Sequence, residues 1–299
     1  MSLIWGVPYL FIRVAVAEMS PAVLVFGRTA VASAILLPIA LLRVDLRPVL
    51  ERWRWVVAFA VAEVGIPWVM LGSAEQHISS SLAGLLVAAV PLISVGLALA
   101  TGSLERTTRR GLFGMLVGLA GVATIVGFNL GGSDATALLE MAVVAVGYSI
   151  GPWILGRRLA GLSPVGVMAV AMSLCALAYA PVAFVQRPAM LPSGGVLAAV
   201  LILGVVCTAT AFVLFSWLVD EIGPVRSTVV TYVNPAVASV LGVLVLSETL
   251  TAAMVAGLGL VILGSVLATG ENASRSAAGG SSEAVALGEA AALGDGVGG

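Results

Sequence analysis

From residue 2 to residue 269 the chain is a succession of apolar runs, each close to the length of a helix that crosses a lipid bilayer. Bounded by charged or turn residues, they fall at roughly 2–17, 22–42, 55–73, 80–101, 111–128, 135–156, 164–185, 195–217, 225–246 and 251–269. A spanning helix needs roughly 20 apolar residues; the first run is the shortest. Spans of a membrane barrel alternate in polarity, whereas these runs are apolar on all sides. Within hydrocarbon, helices satisfy every backbone group internally. A soluble domain carries about 25% charged residues; here 10% are charged, 60% are hydrophobic, and the mean hydropathy is +1.14. The sequence predicts an all-α integral membrane protein with ten transmembrane helices, and the lipid bilayer is its first partner.

Every cation is an arginine, so the positive charges can be followed one by one. Arg43, Arg47, Arg52 and Arg54, then Arg106, Arg109 and Arg110, then Arg157 and Arg158, then Arg226 fall in alternate loops, and the opposite loops hold only Arg187. Arginine-rich short loops face the cytoplasm, which predicts both termini on that side. No cation precedes the first run and no small-residue cleavage site closes it, so it reads as a span and not as a signal peptide. Residues 270–299 are Gly, Ala and Ser with four acids against Arg275, a composition that predicts a disordered cytoplasmic tail. A formal charge of −1 offers nothing to nucleic acid. Cys175 and Cys207 lie in apolar runs as small hydrophobes, and neither a metal cluster nor a cofactor is expected.

The chain also repeats itself. Adding 143 to a position in the first half takes Ser20-Pro21 to Ser163-Pro164, Pro38 to Pro181, Glu105 to Glu248, Gly114 to Gly257 and Gly121 to Gly264. Trp5 meets Tyr148, and Pro91 meets Pro235 with a slip of one residue. This divides the chain into five-helix repeats at 2–129 and 135–269. An odd number of spans makes the second copy enter from the opposite face, which is inverted topology. Transporters use that symmetry to open to either side around a site near the midplane. A duplication that only enlarges a bundle is the structural alternative.

With these residues in hand, the chain resembles the drug/metabolite transporter superfamily, specifically its ten-span EamA-type members. The resemblance rests on Trp5-Gly6, Arg13, Pro21, Arg28, Pro91, Glu105 and the glycines at 114, 118 and 121 in the first half. In the second half it rests on Pro164, Tyr232-Val233-Asn234-Pro235, Ser247-Glu248-Thr249-Leu250-Thr251 and the glycines at 257, 259 and 264. It implies a plasma-membrane carrier with a central cavity between two repeats, usually an exporter of metabolites, amino acids or drugs. It implies no single substrate. Glu63, and Asn234 where the family pattern often has an acid, are departures.

Ionisable groups inside a membrane are costly and face a cavity or a partner. Arg28 lies seven residues into the second span, a counter-charge for a substrate carboxylate or phosphate, or else a helix pin. Glu63 sits eight residues into the third; burial disfavours its charged form, making it a proton or cation site, or else a structural acid. Their depths differ by roughly 8 Å at 1.5 Å per residue, which argues against a direct pair. Tyr9, Trp68, Tyr148, Tyr232 and Asn234 complete the candidate substrate site, with core packing the alternative for the aromatics. Pro91 and Pro235 are the candidate hinges. Arg13 reads as a snorkelling side chain, His77 beside Glu75 as solvated, Gly114 and Gly118 as helix packing, and Glu105 and Glu248 as caps of the helices they precede.

Asn234-Pro235-Ala236 resembles the motif of water and glycerol channels, but its counterpart is Val90-Pro91-Leu92, so the motif occurs once. Clustered carboxylates for magnesium and a nucleophile with a positioned base are both missing from the spans, which argues against an enzyme. The expectation is a secondary carrier of a small organic metabolite, most naturally an exporter, with protons as a second candidate partner. A passive facilitator or channel is the alternative. Oligomeric state leaves no mark in the sequence.

Overall fold

A computed structural model describes residues 1–102, 109–129, 135–222 and 230–267. Glu105, Arg106, Arg226 and the tail at 270–299 lie outside the described residues. Ten apolar helices follow in order: α1 Ser2–Ala15, α2 Pro21–Arg43, α3 Trp53–Ala74, α4 Ser80–Ala100, α5 Arg109–Asn129, α6 Ala135–Arg158, α7 Pro164–Val185, α8 Gly194–Leu218, α9 Val230–Leu246 and α10 Ala252–Leu267. Seven are long and apolar enough to cross a membrane, whereas α1, α9 and α10 are shorter. Helix starts follow local chemistry. Ser20, Ser79, Ser163 and Ser193 each accept the N–H three residues on, and Pro21 and Pro164 occupy the first turn, where a missing N–H costs nothing.

Leu112, Phe113, Leu116 and Leu119 on α5, Leu177 on α7 and Leu244 on α9 are among the large side chains left bare on the outside. An apolar surface of that extent belongs against lipid. Trp53, Trp55 and Trp217 are exposed too, where an interfacial aromatic would stand.

The packing obeys the repeat. Helices α2 and α7 lie together, as do α4 and α9; α1 against α8 is answered by α6 against α3, and α1 against α9 by α6 against α4. Between α5 and α10 the relation reaches single atoms. A Cβ on Gly264 would overlap the Gly118 amide and the Gly114 carbonyl, and a Cβ on Gly121 would come within 2.7 Å of the Gly257 carbonyl oxygen and the Val261 nitrogen. The offset of 143 turns Gly114 against Gly264 into Gly257 against Gly121, so the antiparallel seam maps onto itself, as inverted repeats require.

The third helix of each repeat carries a π-helical turn, Ala60–Gly65 in α3 and Val205–Thr210 in α8. Their causes differ. Pro67 has no N–H to give the Glu63 carbonyl, and α7 satisfies the loosened turn: the Tyr179 hydroxyl donates to the Gly65 carbonyl at 2.9 Å and the Cys175 thiol to the Ala60 carbonyl at 3.6 Å. In α8 the Thr208 hydroxyl donates to the Leu203 carbonyl at 2.7 Å, inserting itself into the ladder. Single π turns inside α-helices gather at functional sites.

At the end opposite the arginine-rich loops, acids tie the repeats together. Glu18 accepts both the Ser193 N–H and its hydroxyl at 2.7 Å, donors that hold its carboxyl below the usual carboxylate range. Glu140 accepts from the Ser73 hydroxyl at 2.7 Å. Glu248 accepts the Ser80 and Ser81 N–H groups at 2.8 and 2.9 Å. It is a cap, as expected, but of α4 and not of the helix that follows it. Ser247 adopts a positive φ of 55°, and the chain folds back with the Glu248 N–H on the Gly242 carbonyl; Thr251 caps α10 instead. At the arginine-rich end, Arg52 donates to the Arg158 and Ala160 carbonyls.

Candidate functional site

Arg28 is buried, with 7% of its surface exposed, in the middle of α2. Its guanidinium carbon lies 3.5 Å from the centre of the Trp68 ring, and its Nε donates to the Thr208 hydroxyl at 2.9 Å. One face is therefore covered by α3 and one edge held by α8, each contact falling on or next to a π turn. Among the described residues, Nε is the only nitrogen of this guanidinium that donates a hydrogen bond. The two terminal nitrogens keep their donors, and that fork matches a carboxylate or phosphate in two-point geometry.

Tyr9 is buried on α1 and lies within electrostatic range of Arg28, Tyr148 and Glu75. Tyr148, on α6, pairs its hydroxyl with the Trp68 side chain and faces Arg28 and Glu63. It is also the residue that packs against both hydrophobic cores of the molecule, one built around α1, α4 and the far end of α3, the other around α2, α7 and the near end of α3. The structure thus brings Arg28, Trp68, Tyr9 and Tyr148 together from four helices of both repeats.

Glu63 is on the π turn of α3, but it does not pair with Arg28, in keeping with their different depths. Its Oε2 is buried with no hydrogen-bond partner among the described residues, lying against Gly151 of α6 where a Cβ would sit 2.9 Å from the Glu63 Cβ and 3.0 Å from its Cδ. Replacing Gly151 with alanine should therefore push Glu63 off its seat. Overpacking of this kind costs about 1–3 kcal/mol, to be read as a lower melting temperature of the detergent-solubilised protein. Unchanged melting and unchanged transport would show that Glu63 has room to spare.

Asn234 is half-buried on α9 beside Gly6, where a Cβ would reach within 3.0 Å of the Asn234 carbonyl oxygen. Tyr232 is on the same helix, and its side chain lies outside the described residues. The candidate hinges differ. Helix α4 is interrupted at Ala88–Ala89, just before Pro91, whereas α9 runs unbroken through Pro235. The Ser149 hydroxyl of α6 donates to the Val90 carbonyl at the interruption, at 3.2 Å.

Sequence reasoning passed over Thr208 and Glu75. Thr208 stands in α8 where Glu63 stands in α3 once the two π turns are superposed, so the signal was a polar residue in an apolar run two places beyond the 143 offset. Glu75 follows a run that ends at 73 and was grouped with the solvated loop; it is fully buried. Arg13 does not snorkel free either, since its Nη1 donates to the Glu75 carbonyl.

The sequence profile of the EamA-like transporter family matches residues 1–127 and 135–270. The chain is 29% identical over 276 residues to the uncharacterized inner membrane transporter YedA of Escherichia coli K12, covering 89% of this chain and 87% of YedA. It is 24% identical over 267 residues to an uncharacterized transporter of Archaeoglobus fulgidus, covering 87% of this chain and 92% of that one. A solved crystal structure superposes with a TM-score of 0.64 at 25% identity, over 90% of this chain and 94% of the other. Two matches in tandem agree with the duplicated packing and with apolar helices throughout. The chain belongs to the EamA-like transporter family of the drug/metabolite transporter superfamily and is a multi-pass membrane transporter, not an enzyme.

Proposed function

We propose that the protein is a secondary carrier that exports a small organic anion, with the repeats at 2–129 and 135–269 rocking about each other to expose one site to either side. The observation that carries this reading is the Arg28–Thr208 contact: the cation comes from the first repeat, its holder from the second. Relative motion of the halves must change how that cation is held, which links site and movement. Trp68 over the guanidinium and Tyr9 and Tyr148 beside it supply apolar, stackable walls, suited to an organic anion better than to an inorganic one. Glu63 is the proton carrier on this reading, since its buried, unpartnered Oε2 favours the neutral acid. Pro91 and Pro235 are the hinges, and Asn234 is the candidate site residue that α9 contributes beside Gly6. The arginine distribution and YedA's inner-membrane description support a plasma-membrane location with both termini in the cytoplasm.

The test is a metabolite-release profile from cells expressing wild type or Glu63→Gln, with a pH gradient present and then collapsed. One class of organic anions should leave faster with wild type, and the excess should vanish with the substitution or the collapse. Efflux that ignores both would make the protein a facilitator; no excess in either direction would remove the carrier reading.

A further inference from the structure

The mechanism so far does not use Glu75. Its side chain is 0% exposed, both carboxylate oxygens are buried, and neither has a hydrogen-bond partner among the described residues. It sits at the end of α3 opposite the arginine-rich loops, and helix side chains lean back toward the N-terminus, so a residue at this end reaches into the bundle. Ala74 and Ile78 on either side belong to the same core as Tyr9.

The groups that face it come from three directions. From α1 come Arg13, whose Nη1 donates to the Glu75 carbonyl, and Tyr9. Tyr148 of α6 and Glu248 of the α9–α10 turn are within electrostatic range. The acid Glu140 accepts from the Ser73 hydroxyl on Oε1, and its Oε2 is buried with no hydrogen-bond partner among the described residues. One cation and one anion therefore bear on Glu75 from its own end of the molecule, and two phenols lie within electrostatic range of both Glu75 and Arg28. The next residue, Gln76, and Arg13, which holds the Glu75 carbonyl, line a cleft of about 250 Å³ together with Val16 and Ala17, large enough for several waters.

From this geometry we infer that Glu75 is a second proton-exchange site, served by water through the Arg13–Gln76 cleft. In the step, the buried carboxyl turns toward the cleft, the Oε–H bond of the neutral acid breaks and a cleft water takes the proton as hydronium. The carboxylate left behind faces Arg13, and reprotonation reverses both changes. Position separates the two acids: Glu63 lies mid-helix and Glu75 twelve residues further on, just past the end of α3, so they serve different depths of the molecule. The inference rests on the carrier reading above, but its test does not.

Infrared spectroscopy of the full-length protein in liposomes, with no transport substrate present, reads carboxyl protonation directly. Between about pH 4 and about pH 9, which spans ordinary and strongly shifted carboxyl values, wild type should show a protonated-carboxyl band that titrates reversibly and shifts in deuterium oxide. Glu75→Gln should lose that component, and Glu63→Gln should keep it. Arg13→Gln should move its midpoint to higher pH, because the cation that favours the charged form is gone. Q76C labelled with a bulky impermeant thiol reagent should slow deuterium exchange at least tenfold, and this variant leaves Glu75 intact should Glu75→Gln fail to fold. A band untouched by Glu75→Gln, or one that neither titrates nor exchanges, would make Glu75 a permanently neutral structural acid and overturn the inference. A titrating, cleft-dependent band in a protein that moves no metabolite would keep the site and remove the carrier reading.

Discussion

Replacing Arg28 with glutamine is expected to lower export of the anionic substrate by about 100-fold while leaving the protein folded. Glutamine can still donate to Thr208 and lie against Trp68, so the packing is nearly kept. What disappears is the charge and the two-pronged donor set. A hydrogen bond to a charged group contributes about 1.5–3 kcal/mol, and two lost together in a site shielded from water reach the 100-fold range. Arg28→Lys separates charge from shape. It keeps the positive charge but not the flat fork or the stacking, so a loss of roughly tenfold is expected. Full activity with lysine would mean that the site needs only a point charge, and full activity with glutamine would leave Arg28 a helix pin. Initial efflux rates of the substrate from preloaded proteoliposomes, compared at equal amounts of monodisperse protein, distinguish these cases.

The second large effect falls far from Arg28. Gly264→Val should unfold the protein or drop its melting temperature sharply, and Gly264→Ala should do the same to a lesser degree. Even a Cβ at this position would overlap backbone atoms of Gly118 and Gly114, and backbone cannot swing aside as a flexible side chain can. Separating α5 from α10 far enough to admit a methyl group gives up packing along the seam, at about 1–3 kcal/mol for a single added group. Gly259, one turn away on α10, has open space around its Cβ position. Gly259→Ala is the matched control, expected to be neutral or slightly stabilising through the better helix propensity of alanine. Equal melting temperatures for the two alanine variants would mean that the seam yields.

The spans were legible because hydrocarbon imposes one condition on every residue of a helix, and composition over about twenty residues records it. The 143 offset showed the duplication, which the Gly114, Gly121, Gly257 and Gly264 contacts repeat in three dimensions. The site was legible in part. Arg28 and Glu63 stood out as charges in apolar runs, but Thr208 did not, since the offset pairs Glu63 with Val206. Only the π turns, each caused by a local event at Pro67 or at the Thr208 hydroxyl, bring Glu63 and Thr208 into correspondence. Glu75 was hidden for another reason: its burial comes from α1 folding across the end of α3, a long-range contact that local hydropathy does not record.

The interruption in α4 bears on the resting state of the molecule. Ser149 donates its hydroxyl to the Val90 carbonyl at that break, and the repeat places Gly6 opposite Asn234 in the same role on the unbroken α9. On the hinge reading, exchanging the broken and the continuous helix yields the state that faces the other way, so the two orientations would be equally populated if the halves were identical. They differ at this point by one hydroxyl. A full neutral hydrogen bond contributes about 1 kcal/mol, and this one is shared with the Ala145 carbonyl at 2.8 Å, so the preference stays below roughly fivefold, a bias toward one side of the membrane that leaves the other a short thermal step away.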